Sequence, residues 1–150
     1  MNRFNRFMMR APIGLYRIGL GGLLGRRMLL LEHTGRRTGL TRRTVLEVVS
    51  RDDTGAPIVS SGFGEGSDWF RNVTADPTVA FTSGRTRTPA TAERLGSIEA
   101  LEVFEHYRAD HPRAAAVIGR RLGVSLIDDP EGAAEKLPLF RLQPNGAAGR

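Results

Sequence analysis

What most restricts the fold of this chain is a series of short extended segments with no helix set regularly between them. Met28 to His33 is a compact apolar run and Thr44 to Ser50 is β-branched, and Gly35 to Gly39 between them supplies the turn of a hairpin. Asp52, Asp53 and Gly55 mark the next turn, Pro57 to Ser61 reads as a third strand, and Gly62 to Ser67 as a flexible loop. Thr78 to Thr82 and Arg85 to about Arg94 pair as a second hairpin across Ser83-Gly84, and Leu137 to Leu142 forms a last strand. Six short strands with two hairpins and no β-α-β alternation argue against a doubly wound parallel sheet. They fit a mostly antiparallel barrel of the α+β class with helices packed outside it.

The helices fall in the gaps. Ser67 or Asp68 can cap a short helix that Asp76-Pro77 closes, because the residue before proline is pushed out of helical space. Ser97 caps a helix over Ile98 to His111, where Ala100, Leu101, Phe104 and Tyr107 or Arg108 recur at helical spacing. Pro112 opens a second helix to about Gly123, an acidic turn follows at Asp128 to Glu131, and residues 146–150 read as a frayed tail. At the other end, Phe4, Phe7 and Met8 share one side of a helix whose other side carries Arg3, Arg6 and Arg10, and Pro12 interrupts it before a glycine-rich helical stretch. The division expected is an amphipathic helical segment over 1–25, a barrel domain over 26–143 and a tail over 144–150. At 150 residues the chain is the size of one domain with a real core.

Several classes drop out. Without cysteine there are no disulfides, no Cys-ligated zinc, no iron–sulfur cluster and no thiol nucleophile, and a reducing cytoplasm is compatible. Apolar runs such as Met28 to Leu31 are far shorter than the ~18 residues of a bilayer crossing. Neither G-x-G-x-x-G after a strand nor a phosphate-binding P-loop is present. His33, His106 and His111 have no metal-ligand spacing, and His33 reads as shaping its turn.

The net charge of +6 is a local feature: residues 1–43 carry ten arginines against Glu32 alone, while the remainder is net acidic. Part of it lies on the first helix, whose residues 1–12 can rest on an anionic membrane surface or pack on the domain or a second subunit. The rest is concentrated in Arg36, Arg37, Arg42 and Arg43, interleaved with Thr34, Thr38, Thr44 and the turn glycines. Glycines let backbone N–H groups converge on an anion that arginine forks then hold, and four arginines with no acid among them repel one another until an anion arrives. The alternative is a solvated hairpin tip whose charges discourage edge pairing. Nucleic acid is disfavoured, because no recognition module or interleaved aromatics accompany the arginines.

The segment His-Thr-Gly-Arg-Arg-Thr-Gly at 33–39 with Arg42 beyond it, the Ser60-Ser61-Gly62-Phe63-Gly64 stretch, and Ser67-Asp68-Trp69-Phe70-Arg71-Asn72-Val73 before Asp76-Pro77 resemble the deazaflavin (F420)-dependent nitroreductase family. The resemblance runs over about residues 22–142. It implies a split β-barrel of the flavin-reductase-like kind and the coenzyme F420, whose phosphodiester and oligoglutamate tail are anionic and whose ring is flat. By that resemblance Arg36, Arg37, Thr38, Gly39 and Arg42 hold the phosphate and tail, with Arg43, Thr44, Val45 and Leu46 continuing the coenzyme-binding strand. Ser60, Ser61 and Gly62 then lie beside the ring, Phe63 is a further coenzyme-binding position, and Trp69 and Asn72 offer an aromatic face with a polar handle. The family frequently has a lysine at Phe63, a proline at Val45 and a tyrosine at Phe70; without the lysine one tail contact is lost, which Arg43 can replace.

The implied activity is hydride transfer from the reduced deazaflavin to an electron-poor small-molecule acceptor such as a quinone, an enone or a nitroaromatic, with the coenzyme supplying the hard chemistry. Ser61 and Tyr107 are the implied catalytic hydroxyls, and the acceptor takes its proton from one of them, from solvent or from an acid nearby. The other reading of the same resemblance is a protein of this fold that binds F420 or flavin mononucleotide without turnover. A homodimer and peripheral attachment to the inner membrane face belong with these expectations, and no metal does.

Overall fold

The computed structural model describes residues 28–60, 67–113, 115–116, 131–132 and 138–146. Its elements are β1 (Met28–Thr34), β2 (Thr41–Arg51), β3 (Pro57–Ser60), α1 (Asp68–Ala75), β4 (Thr78–Ser83), β5 (Thr86–Arg94), α2 (Ser97–Asp110) and β6 (Leu139–Pro144). The strands close into a barrel in the order β1-β2-β3-β6-β5-β4, every neighbouring pair antiparallel. The six-stranded barrel expected from the sequence is therefore present. The first 25 residues, the glycine loop after β3, most of the segment from Pro112 to Gly123 and the last four residues lie outside the described residues. Among those described, no helix is long and apolar enough to cross a membrane.

Two apolar layers follow from strand alternation. Leu29 and Leu31 of β1, Leu46 of β2, Val59 of β3, Val79 and Phe81 of β4, Ala90 and Ala92 of β5, and Phe140 and Leu142 of β6 point into the barrel. Trp69, Phe70 and Val73 of α1 join this interior, and both aromatic rings pack on Phe140 at 5.7 Å between centroids. The second layer lies outside the wall, where Ala100, Val103, Phe104 and Tyr107 of α2 cover Ile58 and Leu139 with Val49. Val48 faces the interior and Val49 the outer layer by plain alternation, and the register slip between Val48 and Ser50 sets Ser50 opposite Ile58 of the outer layer.

Local details correct the sequence reading by a residue or so. Ser83 pairs with Thr86, which moves the β4–β5 turn to Gly84-Arg85, with Gly84 at φ 62° and only glycines at positive φ among the described residues. That is the pattern of a II′ turn, whose twist matches that of the strands. Gly96, not Ser97, occupies the N-cap of α2. Ser67 is at the N-cap of α1 without a capping side-chain hydrogen bond, and Asp76 ends that helix as anticipated. The last strand runs Leu139–Pro144, two residues later than read from the sequence.

Register also defines which features share one end of the barrel. The β1–β2 turn, the start of β4 and the end of β5 lie at the same end as α1, while the β2–β3 and β4–β5 turns are at the other.

Candidate functional site

The arginine-rich turn spans six residues between Thr34 and Thr41, which pair as the last rung of the hairpin. Gly35 N–H donates to Leu40 O and Gly39 N–H to Gly35 O, both at 2.8 Å, and Leu40 N–H donates to Thr38 Oγ1 at 3.2 Å. Two glycines are structurally required. A Cβ at Gly35 would come within 2.9 Å of Thr38 Oγ1 and 3.3 Å of Leu40 O, and Gly39 sits at φ 71° with nothing near its Cα on the open side.

The turn is fastened to α1 through Asn72. Asn72 Oδ1 accepts from the Arg36 backbone N–H at 3.1 Å and from the Arg36 guanidinium Nη1 at 2.8 Å. Two donors on that atom fix which end of the amide is oxygen, so Nδ2 must donate to His33 Nδ1, 3.1 Å away. His33 Nδ1 is then the unprotonated nitrogen and the ring proton is on Nε2. Burial above all, and then the Arg42 charge, push the His33 pKa down from 6.5 to about 4, with Asp68 opposing weakly. Among the described residues His33 and Asn72 are the buried strongly polar side chains, 5% and 4% exposed. Arg36 Nη2 completes the arrangement 3.6 Å from Asp68 Oδ1. His33 thus shapes the turn, as the sequence suggested, and does so through Asn72.

The four arginines, alike in sequence, have different surroundings. Arg42 is paired with His33 in the register and Arg43 with Glu32, so neighbouring side chains leave β2 on opposite faces. On the outer face, Glu32 lies 2.7 Å from Arg87 Nε and 3.7 Å from an Arg43 Nη. The expectation of four arginines without an acid therefore needs correction: Asp68 and Glu32, remote in sequence, serve Arg36 and Arg43. Arg37 and Arg42 are exposed and have no carboxylate partner among the described residues. Arg43, expected to help with the same anion, is directed to the other face by strand alternation.

The remaining sequence candidates are dispersed. Thr44 shares the face of Arg42 and Leu46, whereas Val45 pairs with Leu30 on the opposite face and Leu46 is buried in the interior. Trp69, implied as an aromatic face, is buried in the same interior against Phe140 because α1 closes this end of the barrel. Asn72, implied as a polar handle, is committed to Arg36 and His33. Ser60 ends β3 half-buried beside Leu139; Ser61, Gly62 and Phe63 lie outside the described residues. Tyr107, the implied substrate-side hydroxyl, is 4% exposed and donates to the Glu47 carboxylate at 3.1 Å, its ring 5.2 Å from His111. It fastens α2 to β2, on the face of β2 away from Arg42. The sequence offers Asp68 as a helix cap and Glu32 as a lone acid, but their pairing with Arg36 and Arg43, and that of Glu47 with Tyr107, arise only where the fold brings them together.

The family described as F420H(2)-dependent quinone reductase matches residues 8–128. An F420-H2 dependent reductase, FDR-A, is similar in structure at TM-score 0.55 and 21% identity, over 79% of this chain and 96% of that one. A protein of unknown function from Agrobacterium tumefaciens is similar at TM-score 0.61 and 19% identity, over 91% of this chain and 56% of its own. A NimC/NimA family protein from Clostridium acetobutylicum gives TM-score 0.53 at 14% identity, over 86% and 81%. At these identities the structures bear on the fold alone, and all share it. No curated protein matches the chain. The match over most of its length makes this chain a member of the F420H2-dependent quinone reductase family, whose coenzyme is F420 and whose narrower description replaces the nitroreductase wording suggested by the motifs.

Proposed function

We propose that the chain transfers a hydride from reduced F420 to an electron-poor small molecule, with quinones as the first acceptor class and enones or nitroaromatics as chemically similar alternatives. The observation that carries this reading is the pair Arg37 and Arg42. They stand exposed at the end of the barrel with no carboxylate partner among the described residues, while Arg36 and Arg43 are already paired. Such a pair fits a ligand that brings several negative charges of its own.

The donor set suits the coenzyme in length as well as charge. Val48 pairs with Val59, so Ser60 lies about level with Glu47, roughly 16 Å along β2 from Arg42 at ~3.3 Å per residue. An elongated molecule with an anionic tail at the turn and a flat ring at the end of β3 spans that distance. Arg37 and Arg42 would hold the phosphate and tail, the Thr38 hydroxyl can donate beside them, and the open side of Gly39 lets the backbone approach. The backbone at the end of β3 would flank the ring, since the Ser60 side chain itself is paired with Leu139 of the outer layer. When bound, the reduced deazaflavin supplies the hydride. The chain contributes orientation and a route for the proton. Since the Tyr107 hydroxyl is engaged with Glu47, that proton falls to Ser61 or to solvent.

The test is a titration of the purified protein with oxidised and reduced F420, followed by reoxidation with menadione. Saturable binding with menadione-dependent reoxidation is the expected result. Binding without reoxidation returns the chain to the non-catalytic reading, and a preference for flavin mononucleotide overturns the coenzyme assignment.

A further inference from the structure

The buried pair His33 and Asn72 has a role that the coenzyme-binding reading does not supply. We propose that Asn72 is a positioning residue, which sets the arginine turn through Arg36 and His33 and does not itself bind the coenzyme. The proposal rests on the function argued above and adds a division of labour within its site.

The argument is one of hydrogen-bond capacity. A side-chain amide has two acceptor lone pairs and two N–H donors. Both lone pairs of Asn72 Oδ1 are taken by Arg36, through the backbone N–H at 3.1 Å and Nη1 at 2.8 Å. One N–H is taken by His33 Nδ1. A single N–H is left on a side chain that is almost fully buried, which is little to offer a ligand at the surface. The same contacts are well suited to holding a loop. They join the end of β1, the first residue of the turn after Gly35 and the middle of α1, and the Asp68 carboxylate holds the Arg36 guanidinium from the preceding turn of the helix. With Arg36 held at both its backbone and its side chain, the next residue, Arg37, leaves the turn from a fixed point. Arg42, opposite His33 in the hairpin register, is fixed by the strand. Preorganising two like charges close together is costly without such a support, and its benefit appears as affinity when an anion neutralises them.

The two roles for Asn72 predict opposite orders for two variants. An aspartate at this position still accepts from both Arg36 donors, with its charge neutralised by the guanidinium, but lacks the N–H that faces His33. An alanine loses the support altogether. If Asn72 positions the turn, N72D retains most of the affinity for oxidised F420 while N72A loses roughly tenfold, the scale of one lost charge-assisted hydrogen bond. If Asn72 contacts the anionic coenzyme directly, N72D is the weaker of the two, since a carboxylate then faces the anion. Affinity of N72D equal to or below that of N72A overturns the proposal.

A second readout needs neither coenzyme nor turnover. Nitrogen chemical shifts of the coenzyme-free wild type should report His33 as the Nε2–H tautomer, and a proton on Nδ1 would refute the network directly. In N72D the new carboxylate joins Asp68 in favouring the protonated ring, against burial, Arg42 and the nearby Arg36. The His33 titration should therefore move up from about 4. If it stays where it was in the wild type, Asn72 does not face the ring and the positioning role fails. Because these measurements are made on the coenzyme-free chain, they stand or fall separately from the assignment of F420.

Discussion

Arg42 and Arg43 are adjacent and chemically identical, and the fold assigns them opposite fates. Replacing each by alanine therefore tests the site more sharply than removing both. Arg42 lies opposite His33 of β1, on the same face of the sheet, and has no carboxylate partner among the described residues, whereas Arg43 lies on the other face near Glu32, with Arg87 close by. A charge-assisted hydrogen bond is worth about 1.5–3 kcal/mol where it is sheltered. Arg42 is exposed, so screening at ordinary ionic strength brings the expected loss to about 1–2 kcal/mol, or roughly 5- to 30-fold in coenzyme affinity. Arg43→Ala should change affinity less than about twofold. It should cost at most about 0.5 kcal/mol of stability, because Arg87 still neutralises Glu32 at 2.7 Å. Fluorescence titration of oxidised F420 at about 0.05 and about 0.3 M salt measures both quantities, since the advantage of wild type over Arg42→Ala must shrink as salt screens the tail. Equal losses for the two variants would refute the reasoning, because they would mean that strand alternation does not separate the two charges functionally.

Three other variants or conditions check the framework around this site. Tyr107→Phe removes the hydroxyl that donates to Glu47 and should lower stability by about 1 kcal/mol in urea, with menadione-dependent reoxidation retained; a collapse in turnover would return Tyr107 to the substrate side. Arg141→Met removes a guanidinium that reaches Glu99, Glu93 and, at 2.9 Å from Nε, Asp52 without the alignment of a hydrogen bond. It should cost about 2 kcal/mol and lower Tm by roughly 4–8 °C, and a change near zero would mean that solvent already screens the cluster. For His33, whose folded pKa of about 4 lies below the unfolded 6.5, the unfolded chain binds more protons between these values. Stability should therefore be fully present above about pH 6.5 and decline as pH falls towards 4, and substituting His33 should flatten that part of the profile.

The barrel was legible because its cause is local. An apolar run from Met28 and a β-branched run to Ser50 on either side of the Gly35 to Gly39 turn give the hairpin, and once the strands pair, alternation and closure of six strands leave one inside for Leu29, Leu31 and Leu46. The errors came where a single residue decides. A two-residue turn between Ser83 and Thr86 and a bulge at Val49 change register by one position, and composition does not distinguish neighbouring positions. Trp69 shows another limit. One tryptophan on a short helix is equally consistent with an open aromatic face and with a plug, and what decides between them is that α1 closes the barrel end over Phe140.

Charge was the least legible property, for a physical reason. Within residues 33–44 the sequence contains four arginines and no acid, and a count along the chain makes all four available to a ligand. Ion pairing acts over a few ångströms in space, and a folded chain brings together residues dozens of positions apart. Asp68 reaches Arg36 from α1 and Glu32 reaches Arg43 across the hairpin, which removes half the apparent excess. The arginines left over are not those that a motif would select, since Arg36 and Arg37 are neighbours in one turn and only the second lacks a carboxylate partner among the described residues. Among the described residues the surplus charge on this turn and the start of β2 is thus about two, presented from a turn that a buried amide and a neutral imidazole hold in place. Two fixed positive charges on a rigid loop select for a ligand that brings its own anions in a defined arrangement, whereas a mobile patch of four would accept any polyanion. That difference is the physical case for a small phosphorylated coenzyme over nucleic acid.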